Sequence, residues 1–84
     1  MKQQTDYEIR DNVRRILIEC RQEKGISQTE IGKIVGKSTN AVGSREQGLS
    51  LPDIVTLARL AKYYNKTIDY MYGVDNNDDQ ETRQ

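Results

Sequence analysis

The sequence predicts an all-α domain of five short helices. Three observations carry that expectation. Alternation of apolar and polar residues never runs cleanly for six positions, so the strand signal is missing. Gly25, Gly36, Gly48, Pro52, Asn65 and Gly73 punctuate the chain at short intervals. Between them, apolar residues recur at three- and four-residue spacings.

Each helix has its own start and stop. α1 is expected over about Asp6 to Lys24, with Thr5 as N-cap and Glu8 three residues into the helix, a capping box. Ile9, Val13, Ile16, Leu17 and Cys20 form its apolar stripe, and Gly25 closes it. α2 runs from about Gln28 to Val35 behind Ser27, and α3 from about Thr39 to Gln47 behind Ser38. α3 has one strong apolar anchor, Val42. α4 covers about Ile54 to Tyr64, started by Asp53 or Pro52, with Ile54, Leu57, Ala58, Leu60, Ala61 and Tyr64 as its buried face. α5 is the short stretch Ile68 to Tyr72 behind Thr67. Residues 74–84 are polar, acidic and aperiodic, and are expected to form a disordered tail after a domain of residues 1–73.

Composition closes off whole classes. The chain has 84 residues, no His and one Cys, which excludes a four-ligand zinc site, His-based nucleophilic catalysis and an internal disulfide. No cofactor motif, acid/base pair or nucleophile stands out, so neither an enzyme nor a small-molecule site is expected. No apolar run reaches the ~20 residues that span a bilayer, and a cytoplasmic location is the expectation. Thirteen basic residues balance thirteen acidic ones. That neutrality divides, however, into a domain at +3 and a tail at −3, because Asp75, Asp78, Asp79 and Glu81 face only Arg83.

The informative stretch is Gln28 to Gln47. Two short helices joined by Gly36-Lys37-Ser38 have the connection length of a helix-turn-helix. Gly36 suits a positive φ in the turn, and Gly32 lets the two helices approach. With Val42 turned inward, Asn40 and Ser44 lie on the opposite side of α3, one turn apart. Thr39 stands at the open first turn and Gln47 prolongs the stripe. Such short polar groups match base edges: Asn pairs with adenine N6 and N7, Ser bonds several bases, and a Thr methyl meets a thymine methyl. The first amides of α2, with Gln28 beside them, suit a phosphate.

At these residues the sequence resembles the phage repressor and Cro type of helix-turn-helix protein, the XRE family. The resemblance covers about Val13 to Gly73. It rests on Arg21 to Gln28, Ile31-Gly32, Val35 to Ser38, Val42, Glu46-Gln47-Gly48, Pro52, Leu57, Leu60-Ala61 and Ile68 to Met71. It implies a lambda-repressor-like five-helix bundle that binds double-stranded operator DNA as a homodimer. It further implies base contacts from Thr39, Asn40 and Ser44. Backbone contacts are expected from Gln28, Lys33, Lys37, Ser38, Arg45 and Gln47. A structural ion pair is implied between Arg21 and Glu46, and a dimer seam at Ile68, Tyr70, Met71 and Tyr72.

Three departures stand out. Gly43 replaces the family's usual Ser, Arg45 replaces an aromatic or aliphatic residue, and Leu49-Ser50-Leu51 lacks the basic residues that often contact phosphates. Lys33, Lys37 and Arg45 are the cations expected to compensate. Arg45 is expected to pack its stem and send its head to solvent, Glu46 or a phosphate. With no Arg squarely on the reading face, contacted pairs are expected to be A·T. The alternative reading is a protein-interaction module of the same fold with weak or no DNA binding.

Overall fold

The computed structural model describes residues 5–73. The tail expected at 74–84 lies outside the described residues. Five helices follow one another: α1 Asp6–Lys24, α2 Gln28–Val35, α3 Thr39–Glu46, α4 Ile54–Tyr64 and α5 Ile68–Tyr72. There is no strand among the described residues.

Local hydrogen bonds explain these boundaries. Thr5 Oγ1 accepts the Glu8 amide at 3.1 Å, and Glu8 Oε1 accepts the Thr5 amide at 2.9 Å. Ser27 and Glu30 build a second capping box in the same way, at 3.0 and 2.8 Å. Ser38, Asp53 and Thr67 cap α3, α4 and α5 by accepting the amide three residues on. Each such cap stabilises a helix by about 1 kcal/mol.

The turn between α2 and α3 uses two glycines. Gly36 adopts φ +75°, the left-handed region. Gly32 is held small mainly by the turn itself. A Cβ there would stand 2.5 Å from the Lys37 carbonyl oxygen, and only 3.5 Å from Val42 of α3. The Lys37 amide closes the same turn on the Gly32 carbonyl at 2.7 Å.

All five helices contribute to one core. Val13, Leu17 and Cys20 of α1 meet Ile31 and Val35 of α2, Val42 of α3, Leu57, Leu60, Ala61 and Tyr64 of α4, and Met71 of α5. Burial pushes the Cys20 thiol and the Tyr64 phenol up from their ordinary pKa values, so both stay neutral at physiological pH.

Two expectations need correction. On α4, Ile54 is 58% exposed and Ala58 is also exposed, while Thr56 is buried. The buried arc is centred on Leu57, Leu60, Ala61 and Tyr64. At about 100° per residue, Ile54 and Ala58 fall beyond one edge of that arc and turn outward, and Val55 lies on the opposite side. On α5, Met71 is fully buried and belongs to the core, so it is unavailable to a dimer seam. Ile68 is exposed, and Tyr70 and Tyr72 are half-buried. A five-residue helix packed on α1 and α4 buries one residue completely, and that residue is Met71.

Candidate nucleic-acid interface

The interface is built on α3, and its last turn is fastened to the rest of the molecule. Glu46 is 7% exposed. Arg21 donates to it twice, from Nε to Oε2 at 2.8 Å and from Nη2 to Oε1 at 3.0 Å. The third arm of Arg21, Nη1, donates to the Ile26 carbonyl at 2.9 Å. This fork ties the end of α1, the α1–α2 loop and the end of α3 together. It also raises the Arg21 pKa, chiefly through the hydrogen bond to Glu46.

Gln28 joins the same network. Its Nε2 donates to Glu46 Oε1 at 3.0 Å. Its Oε1 would lie 3.6 Å from a Cβ at position 43, so Gln28 folds across Gly43. The side chain expected at the DNA backbone is thus engaged within the protein. The backbone at the start of α2 remains at the surface, with Ser27 and Thr29 exposed.

The first turn of α3 is different. Asn40 is exposed and makes no hydrogen bond or ion pair among the described residues. Thr39 is exposed, and its hydroxyl lies 2.9 Å from that of Thr29 on α2. This pairing depends on how α2 meets α3, and a sequence carries no direct signal for that. Ser44 is half-buried, with its hydroxyl 3.4 Å from that of Ser50. Gln47 is exposed. Asn40, Ser44 and Gln47 thus share one side of α3, with Thr39 at its start.

The cations expected to flank this face divide. Lys33 is exposed and makes no ion pair among the described residues. Lys37 stands in the turn with Nζ 3.5 Å from Asp53 Oδ2. The Ser38 hydroxyl accepts the Ala41 amide and serves as the cap of α3. Arg45 corrects the expectation of a backbone contact. Its Nη1 donates to the Ala41 carbonyl at 2.9 Å, and its Nε is buried without a partner. Position 45 is about 140° round from Asn40, close to the Val42 side. Its side chain lines a small cavity with Leu17, Val35, Val42 and Tyr64 and points away from the polar stripe.

Charge on the stripe's far end comes from α1. Arg10 and Arg14 stand beside Gln47 and Gly48, and Arg10 Nη1 donates to the Leu49 carbonyl at 3.3 Å. Their four-residue spacing was visible in the sequence, but their long-range placement was not.

Two close-set helices, a glycine turn and an exposed polar stripe make a helix-turn-helix surface. A family model described as helix-turn-helix matches residues 17–71. The chain belongs to the helix-turn-helix family of the Cro/C1 (XRE) type. No curated protein matches it. This family is a double-stranded DNA-binding domain rather than an enzyme family, and the chain is a DNA-binding regulator of the XRE type. Among the described residues no helix is long and apolar enough to cross a membrane, and no cluster of His, Cys, Asp and Glu could hold a metal ion.

Proposed function

We propose that this XRE-type protein reads a specific operator by inserting α3 into the major groove. The observation that supports this most is Asn40: exposed, without a partner among the described residues, and on one stripe with Ser44 and Gln47. Thr39, Asn40 and Ser44 contact bases. The first amides of α2, with Lys33, Lys37 and Gln47, hold the sugar–phosphate backbone. Two copies meet through Ile68, Tyr70 and Tyr72 and read an imperfect palindrome with half-sites about 34 Å apart. A repressor role, of the kind phages and mobile elements use, follows from the resemblance to the Cro and repressor proteins.

Selection of bound sites from random duplex DNA tests the reading. The wild type is expected to enrich an A·T-rich half-site, and Asn40→Ala to lose about 1–3 kcal/mol of discrimination at one position. Contacted G·C pairs would refute the assigned contacts. No enrichment with the wild type would favour a second reading, a protein-docking module. Leu49, at 69% exposure, and Leu51, at 37%, support that reading, since they expose apolar side chains where family members often carry cations. Added salt separates the two, because phosphate contacts weaken steeply with it.

A further inference from the structure

We propose that Arg10 and Arg14 of α1, together with Gln47, form a second DNA-phosphate anchor at the far end of α3. The inference rests on α3 being the helix that enters the groove, and it adds a site on α1, outside the helix-turn-helix. Tyr7, Arg10, Asp11, Arg14, Gln47 and Gly48 line an open groove of about 180 Å³. Arg10 and Arg14 are four residues apart and so share one side of α1. Arg10 is tied to the segment after α3 by its bond to the Leu49 carbonyl, 3.3 Å long. Arg14 lies over Gly48, where a Cβ would stand 3.2 Å from its Cδ. A glycine at 48 therefore gives Arg14 room to lie across the end of α3.

The electrostatics favour an anion. Arg14 Nε donates to Asp11 Oδ1 at 2.9 Å, and Arg15 Nε also reaches Asp11, at 3.4 Å. Asp11 therefore fixes the Arg14 guanidinium but takes only one of its five N–H donors. Two arginines against one aspartate leave the groove lining at +1. The nearby Glu8 carboxylate is turned to the Thr5 amide in the capping box. Guanidinium groups held in this way match phosphate oxygens, often two at a time.

Position supplies the rest. Gln47 is seven residues from Asn40, only about 20° round the helix, so the reading stripe runs directly into this groove. α3 has eight residues, a length of ~12 Å, and the major groove is ~12 Å wide. A helix of that length in the groove has a sugar–phosphate strand near each end. The start of α2 serves one strand, and the arginines of α1 serve the other. They take over the role of cations that Leu49-Ser50-Leu51 does not carry.

The test is a salt series on the full chain with Arg10→Gln and Arg14→Gln combined, using a selected operator and an unrelated duplex. Each copy loses two phosphate contacts, so a bound dimer loses four; the log–log salt slope should flatten by about 3.6, and the affinity ratio between about 50 and 200 mM salt should shrink by about a hundredfold. Both duplexes should weaken alike, and the selected base preference should not move. Lysine at both positions should restore most of the slope, and Lys62→Gln on exposed α4 should leave it unchanged. A folded double variant with wild-type affinity and slope would overturn the anchor. So would an altered base preference at constant slope. If the wild type binds no duplex at all, the DNA reading fails and the anchor fails with it. If Asn40→Ala loses selectivity while the arginine variant matches wild type, the anchor alone is wrong.

Discussion

The two ends of α3 differ in what holds their side chains. In the last turn, Glu46 is gripped by Arg21 and Gln28, Arg45 folds onto the Ala41 carbonyl, and Ser44 meets Ser50. In the first turn, Asn40 is unengaged, and Thr39 touches only another exposed hydroxyl. The difference teaches how an eight-residue helix can be both fixed and available. A helix this short is not stable alone. One end is therefore anchored by a buried ionic network and the Val42 contact, which leaves the other end free to meet a ligand.

The largest expected effect tests the anchored end. Glu46→Ala leaves the Arg21 guanidinium and the Gln28 amide without their shared acceptor. Removing one member of such a buried pair costs about 3–5 kcal/mol. For a domain of this size the Tm should fall by more than about 10 °C in a thermal melt. A loss below about 1 kcal/mol would mean that the pair behaves like a surface contact and that the two ends are not so different.

The middle of the helix sharpens the comparison at a smaller scale. Gly43 sits between the two ends, and Gln28 folds across it. A Cβ there would meet Gln28 Oε1 at 3.6 Å, an ordinary van der Waals distance. Gly43→Ala should therefore stabilise the protein by about 1 kcal/mol, the usual difference in helix propensity. Denaturant unfolding would show this as a raised midpoint with an unchanged slope. Destabilisation would show that Gln28 needs the bare backbone, and that the gap at 43 is part of the anchor.

The same contrast explains what was legible in the sequence. Helix starts were readable because a cap is a contact between residues three apart, such as Ser38 with Ala41 or Asp53 with Thr56. The exposed stripe was readable because it follows from the helix period and one apolar anchor. Side chains whose direction depends on distant partners were not. Arg45 turns into the core because a cavity between α1, α2 and α4 receives it. Gln28 turns from the surface because Glu46, eighteen residues away, accepts its amide. Ile54 looked like core by spacing, yet the place where α4 meets α2 and α5 decides its exposure.

The smallest expected effect concerns the entrance to α3. Lys37, in the turn before the reading end, faces Asp53, the N-cap of α4. The Asp53 carboxylate is held below its ordinary pKa of 3.8, first by the Thr56 backbone amide, then by the Thr56 hydroxyl, and less by Lys37. A depressed folded-state pKa stabilises the fold above the unfolded value, and that stability is lost as pH falls through the folded one. Asp53→Asn keeps a good cap but removes the titration. The wild type should therefore lose its advantage over the variant as pH drops below about 4, when both are melted between pH 7 and pH 3. A constant difference across that range would mean that the carboxylate caps as a neutral acceptor does. The Lys37 contact would then hold the turn too weakly to matter, and the approach to the reading end would rest on Gly32, Gly36 and the Ser38 cap alone.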